Sequence, residues 1–294
     1  MDVRDFFVIE EGHTLSIAIV TDSTAYIPKD LREKHNIYTV SLSVIFGTET
    51  YREEIDITTE QFYEKVARNE ELPSTSQPAI GEFVELFEKL KETHDTIISI
   101  HLSRKFSGTY DAAESAGNMV DGVDVHVYDS ELSCTPQGLL AIAASEMACA
   151  GKNATEIIAA LDDIKAKTRT YFMVDDLSHL HRGGRLNRAQ AILGSVLNIK
   201  PILHIEEGLI VPFEKIRTRK KAINRIMSML EDDSKNKQVA RVVFIHANNE
   251  RAAIELRDQY HTKFPNVETI VSYFGPVIGT HLGEGSVGVA WYTT

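Results

Sequence analysis

Apolar runs rich in β-branched residues alternate along this chain with stretches of helical spacing. Ser16-Ile-Ala-Ile-Val20 reads as a buried strand ending on Thr21-Asp-Ser-Thr24. Pro28 starts a short helix through Lys34, and Ile37 to Val44 alternates as a strand. Thr58 and Gln61 form a capping box for a helix through about Asn69. Pro73-Ser-Thr-Ser-Gln-Pro78 reads as a hydroxyl-rich loop fenced by prolines, and behind it Phe83, Leu86, Phe87 and Leu90 make one apolar helical face. The stretch from Thr96 to Tyr110 predicts a strand, then a loop ending on Ser107-Gly108, then the first turn of a helix. Val123 to Val127 is a strand. Thr135-Pro136 opens a long alanine-rich helix, Asn153 to Lys167 is a further helix, and Thr170 to Val174 a strand.

The pattern begins again near Lys167. Ile199 to Ile205 and Leu209 to Phe213 flank the Glu207-Gly208 turn as a hairpin, with Pro201 and Pro212 pushing its strands toward sheet edges. A helix from Thr218 to Glu231, a strand from Arg241 to Ala247, a helix from Asn249 to Tyr260 and a strand from Val267 to Tyr273 follow. The stretch Gly275 to Gly288 reads as a loop before a short strand through Tyr292. Strands alternating with helices, in a pattern that begins again, predict an α/β protein of two domains with mainly parallel sheets. The divisions are a leader over residues 1–14, a first domain over 15–167 and a second over 168–294.

Composition narrows the classes. A net charge of −12 argues against general binding to nucleic acid or anionic membranes. No apolar run approaches membrane-spanning length, and the start has neither the basic flank nor the apolar length of a secretion signal. Two cysteines, Cys134 and Cys149, offer no disulfide framework and read as reduced thiols on or near one helix. A cytoplasmic protein is expected.

Four constellations carry possible chemistry. Gly283-Glu-Gly-Ser-Val-Gly288 spells a dinucleotide fingerprint but lacks the strand before it and the helix after it. His179-Leu-His181 beside Asp175 and Asp176 has metal-like composition, yet it sits on a helical turn rather than a strand, and no metal is expected. Ser107 and His281 suit a nucleophile and its base, although Phe106-Ser-Gly-Thr-Tyr110 is not the hydrolase elbow. The simpler reading of Ser107 is a helix cap, and an anion at a helix start is a third. Arg182, Arg185 and Arg188, with Arg217, Arg219, Lys220, Lys221 and Arg225, gather positive charge in an acidic chain. They read as a solvated face or as a docking surface for phosphate or an acidic partner.

Seven segments, in order, resemble the DegV family of fatty-acid-binding proteins. They are Ile19-Val-Thr-Asp-Ser-Thr24, Ser74-Thr-Ser-Gln-Pro78, Leu102-Ser103 with Phe106-Ser-Gly-Thr-Tyr110, Gly183-Gly-Arg185, Lys200-Pro-Ile-Leu203, Arg217-Thr-Arg-Lys-Lys-Ala222 and Gly275-Pro-Val-Ile-Gly-Thr-His-Leu-Gly283. The resemblance implies a two-domain α/β carrier holding one long-chain fatty acid between its domains. It also implies a separate fatty acid kinase that turns the presented acid into an acyl phosphate with ATP, which feeds phospholipid synthesis. The carrier then needs no catalytic residues and no cofactor of its own. By the same match Thr75, Ser107 and His281 hold the carboxylate, with Ser76 and the Gly108 N–H as neighbours. Arg182, Arg185, Arg217 and Arg219 fall where kinase or phosphate docks. A long tail supplies affinity at about 0.8 kcal/mol per buried CH₂, roughly 10 kcal/mol before entropic costs. The alternative is a lipid esterase or thioesterase using Ser107 and His281. Two positions depart from the family: Glu284 replaces an expected proline and places an acid near His281, and Arg104-Lys105 adds charge to the Ser107 loop.

Overall fold

The computed structural model describes residues 16–68, 72–186 and 200–293. The leader, Asn69, Arg188 and Ile199 lie outside the described residues. In chain order the elements are β1 (Ile17–Asp22), α1 (Lys29–Lys34), β2 (Ile37–Val40), β3 (Ser43–Phe46), β4 (Glu49–Arg52), α2 (Thr59–Arg68), β5 (Ser74–Ser76), α3 (Ile80–Leu90), β6 (Thr96–His101), α4 (Thr109–Gly117), β7 (Asp124–Asp129), α5 (Cys134–Cys149) and α6 (Ala154–Lys167). Then follow β8 (Thr168–Met173), α7 (Ser178–Arg182), β9 (Ile202–Glu206), β10 (Leu209–Glu214), α8 (Arg219–Asn236), β11 (Val239–His246), α9 (Glu250–Lys263), β12 (Glu268–Tyr273), α10 (Pro276–Leu282) and β13 (Val287–Thr293).

The first half of the molecule is a parallel sheet ordered β2-β1-β6-β7, with Ile19 opposite both Ile37 and Ile98. Its two central strands are buried on both faces, as near-continuous apolar runs require. Phe83, Phe87 and Leu90 of α3 pack on one face. Helix α5 covers the other, and residues around its whole circumference are buried, which suits a helix inside the molecule. The chain leaves β1 toward β2 on one side and returns through β6 to β7 on the other. The order therefore switches between β1 and β6, where open α/β sheets form a crevice beyond the strand ends.

That crevice is filled at its base by a sealed polar cluster. Asp22 ends β1 and is fully buried. Its Oδ2 accepts from Leu102 N–H at 3.0 Å, from Gln137 Nε2 at 2.9 Å and from His101 Nδ1 at 3.0 Å. Its Oδ1 takes the N–H of Thr24 at 3.1 Å and its hydroxyl at 2.5 Å. His101 Nε2 meets Ser99 Oγ at 2.6 Å. One carboxylate thus ties the ends of β1 and β6 to the first turn of α5.

The second half departs from a mainly parallel sheet. Its order is β10-β9-β8-β13-β11-β12, and only β11 with β12 runs parallel. The closing strand β13, short and last in sequence, lies at the centre between β8 and β11. The hairpin forms as its turn predicts, with positive φ at Glu207 and Gly208, and β10 with Pro212 is the edge strand. Strand β9 is internal, paired on both sides.

Three local expectations change. The alternating run from Ile37 breaks at Ser41-Leu42 into β2, in the parallel sheet, and β3, in a separate three-stranded antiparallel sheet ordered β4-β3-β5. The proline-fenced loop is strand β5, with Thr75 opposite Val44. The glycine-rich terminal stretch contains helix α10, opened by Pro276 at its first turn. The Thr58–Gln61 capping box forms as its sequence suggests, and Asn153 with Glu156 and Asn249 also cap their helices. Thr135 is not a cap, since α5 begins at Cys134 and the Thr135 hydroxyl donates to Ser272 Oγ on β12.

Candidate functional site

A cavity of about 310 Å³ lies between the six-stranded sheet and the first half of the molecule. Thr75, Ser76, Ser107, Gly108 and His281 all line it, although they come from β5, the loop before α4, and α10. Residues 206 positions apart in sequence meet there: Thr75 Oγ1 and His281 Nε2 are 2.9 Å apart. Strand pairing with β3 fixes Thr75, and the single turn of chain between β6 and α4 presents Ser107 and Gly108. Gly108 is the cap residue of α4, and the Ser107 hydroxyl bonds Thr109 Oγ1 at 2.9 Å. Much of the remaining wall is apolar, including Phe172, Ile205, Ile210, Ile245, Phe274 and Val289. A polar cluster beside an apolar chamber fits an amphiphile with one small acidic or polar head.

The His281 ring is the most informative group in this wall. Its pKa is pushed down to about 4, first by burial and then by the positive charge of Arg185 and Arg182 and by His179. The ring is therefore neutral at physiological pH. Its Nδ1 is buried without a hydrogen-bond partner among the described residues. A buried bare lone pair is cheaper than a buried bare N–H, which assigns the ring proton to Nε2. Nε2–H then donates to Thr75 Oγ1 and leaves the threonine O–H free to donate into the cavity. Gly183 makes room for this ring: a Cβ there would stand 2.2 Å from Nδ1.

Arg185 belongs to the cavity wall rather than to an outer docking face alone. Among the described residues it is the one Lys or Arg side chain that lines the cavity. Its Nε donates to Phe106 O at 3.0 Å, and its Nη1 donates to Gly183 O. Burial lowers its pKa, but a guanidinium stays charged. Arg182, Arg217 and Arg219 are not among the lining residues. Arg182 is exposed on α7, yet near enough to act on His281. Arg219 pairs with Asp175 at 2.9 Å, which also holds Lys200 at 3.2 Å, and Arg217 is exposed just before α8. Glu284 turns away from His281, accepting from Asn248 Nδ2 at 2.7 Å.

Two wall residues escaped sequence reasoning. Gln77 follows β5 and packs against Gly108. Cys134 opens α5, its thiol pushed up to about 12 mainly by burial, so it stays protonated and acts as a small apolar group. Both cysteines are free. Among the described residues, no group of three or more His, Cys, Asp and Glu is arranged to hold a metal ion, and no helix is long and apolar enough to cross a membrane. The nucleophile–base pair of a hydrolase is not assembled: Ser107 bonds Thr109, His281 bonds Thr75, and a histidine with a pKa near 4 is a poor base.

The family model described as "Uncharacterised protein, DegV family" matches residues 16–294. The chain belongs to the DegV family. Protein DegV of Bacillus subtilis is 53% identical over 278 residues, covering 94% of this chain and 99% of its own. The crystal structure of that DegV, described as a fatty acid binding protein, superposes with a TM-score of 0.90, covering 95% of this chain and 100% of its own. A DegV family protein from Thermus thermophilus, described by its fatty acid binding, is 32% identical with a TM-score of 0.89, covering 95% and 100% of the two chains. A stearic acid-binding protein from Eubacterium ventriosum is 25% identical with a TM-score of 0.85, covering 94% and 98%.

Proposed function

We propose that this protein binds fatty acid, as its DegV relatives are described as doing, and holds one long-chain acid in the cavity between its six-stranded sheet and the first half of the molecule. The observation that carries the reading is the convergence of Thr75, Ser107 and His281 on one wall of an otherwise largely apolar cavity. A carboxylate in this position receives the Thr75 and Ser107 hydroxyls and the Gly108 N–H, with Ser76 alongside. Arg185 offsets its charge from behind Phe106-Ser107. His281 acts by orienting the Thr75 hydroxyl, and as a neutral ring it adds no charge. The acyl tail occupies the apolar chamber. In this reading the boundary between two domains falls at residue 167, between α6 and β8, and the tail lies in the crevice they form.

The protein then serves as a cytoplasmic carrier without a reaction or a cofactor of its own. A separate fatty acid kinase phosphorylates the presented acid with ATP, docking on the face where Arg182, Arg217 and Arg219 are displayed. Mass spectrometry of an organic extract of the purified protein tests the ligand class. A stoichiometric long-chain fatty acid supports the proposal; an extract without lipid, from protein that also fails to take up added palmitate, overturns it. Acyl phosphate formation only when kinase, ATP and this protein are combined tests the partner.

A further inference from the structure

Helix α10 carries His281, yet its opening turn is held by residues of the other half of the molecule. Pro276 has no N–H to offer. The next two amides, of Val277 and Ile278, both find partners across the junction. Val277 N–H donates to Glu53 Oε1 at 2.9 Å, and Ile278 N–H donates to the Tyr26 hydroxyl oxygen at 3.2 Å. Tyr26 in turn donates to Glu53 Oε1 at 2.9 Å, and Ser23 Oγ donates to Glu53 Oε2 at 2.6 Å. Glu53 is fully buried just after β4, and its own N–H is fixed on Leu42 O at 2.9 Å. The fit is close: a Cβ on Gly275 would stand 2.4 Å from the Tyr26 ring and 3.1 Å from Glu53 Oε1.

A fully buried carboxylate with only neutral donors is an expensive group to keep as a mere filler. The titratable groups around it supply no cation: Tyr26 beside it, Tyr63 on α2, Tyr273 on β12, Cys134 on α5 and Glu54 next in the chain. Arg32, the nearby base, is engaged by Glu54 at 2.7 Å. What Glu53 does contribute is placement. His281 lies one helical turn beyond Val277, on the same short helix, with its ring against Gly183 and its Nε2 on Thr75.

We propose that Glu53 is a positioning residue: together with Tyr26 it holds the first turn of α10 across the junction and so sets where His281 stands in the cavity. This rests on the reading of the Thr75–His281 wall as the carboxylate site. Two ligands with the same tail separate placement from general support, namely palmitate and 1-hexadecanol. Glu53→Ala lowers palmitate affinity about tenfold, the effect of one well-placed hydrogen bond, and changes hexadecanol affinity by no more than about twofold. Glu53→Gln keeps an oxygen toward Val277 and restores most of the palmitate affinity. In a His281→Ala background, Glu53→Ala has little further effect on palmitate.

Loss of both ligands in parallel, unchanged palmitate affinity in Glu53→Ala, or an undiminished effect without His281 overturns the proposal. If Glu53→Ala does not fold, Tyr26→Phe removes only the hydroxyl that receives Ile278 N–H, and the same pair of ligands decides the matter on the same terms. His281→Ala with unchanged palmitate affinity removes the carboxylate reading itself, an outcome distinct from failure at Glu53 alone.

Discussion

His101 and His281 each stand beside a hydroxyl, and their surroundings differ in access. His101 lies between Asp22 at 3.0 Å and Ser99 at 2.6 Å, a serine, histidine and aspartate in the connectivity of a hydrolase triad. All three are fully buried, none lines the cavity, and both ring nitrogens of His101 are engaged. His281 has one nitrogen on Thr75 and one without a partner, and it faces a chamber of about 310 Å³. Residue types alone would make the first a reaction centre. Access makes it a strut and makes the second part of the candidate site. A nucleophile without a route for substrate cannot react, whereas an incompletely paired polar wall beside apolar space invites a ligand that completes it.

The largest way to test this contrast is to open the sealed cluster. Asp22→Ala leaves His101, Gln137, the Leu102 amide and Thr24 without their common acceptor. Removing one member of a buried charged network costs on the order of 3–5 kcal/mol, so urea unfolding should shift strongly or the chain should fail to fold. Ser99→Ala, in contrast, should leave fatty acid affinity unchanged in protein that folds. His281→Ala inverts this behaviour. Palmitate affinity should fall by tenfold or more, about 1.4 kcal/mol, while the urea midpoint moves little, because the ring already leaves one nitrogen unpaired. Isothermal titration of delipidated protein reads the first effect. A large stability loss with intact affinity would place His281 among the struts.

Gly183→Ala is a smaller intervention on the same wall. Gly183 has φ of −69°, which alanine accepts, so any effect is steric rather than conformational. The added Cβ would meet His281 Nδ1 at 2.2 Å and must push the ring from Thr75. A several-fold loss of palmitate affinity is expected, with hexadecanol little affected. Equal binding to wild type would show that the ring has room to retreat and that its position is not critical.

This contrast also shows which parts of the molecule were legible in the sequence. The first sheet was readable because Ile17 to Val20 and Thr96 to Ile100 are runs rich in β-branched residues between turn signals, and the capping box at Thr58 is local. The expected cavity residues Thr75, Ser76, Ser107, Gly108 and His281 do share one wall, but their grouping came from resemblance to a family. No periodicity joins positions 75 and 281. Helix α10 was hidden by Gly275, Gly279 and Gly283, which weaken helical spacing, and is held by partners such as Glu53 and Tyr26 that lie 224 and 252 positions away. Strand β5 is three residues long, too short for a pattern. The antiparallel second sheet followed from β13 inserting at its centre, a pairing that hydropathy does not encode. Arg185 read as a solvated face or a docking residue and Glu53 carried no signal, because only long-range packing draws them inward.

The smallest expected effect is a difference of slopes. His281 has a folded pKa of about 4, below that of an ordinary histidine, so between about pH 4 and 6.5 the unfolded chain takes up a proton that the folded chain refuses. Its contribution to stability is present above pH 6.5 and is lost as pH falls toward 4. Glu53 has a folded pKa of about 7, raised chiefly by burial against the lowering effect of its three donors. Between about pH 4.5 and 7 the folded chain holds the proton more tightly, so its contribution is largest below pH 4.5 and is lost as pH rises to 7. The two terms oppose each other over pH 4.5–6.5, each limited to about 1.4 kcal/mol per pH unit. Unfolding midpoints across this range should therefore diverge in opposite senses. Glu53→Gln should make stability rise more steeply with pH than in the wild type, and His281→Asn should make it rise less steeply or fall. Parallel curves for all three proteins would mean that each group binds its proton equally in the folded and the unfolded chain, so that burial shifts neither titration, and that the open wall and the Glu53 contact differ in access but not in charge.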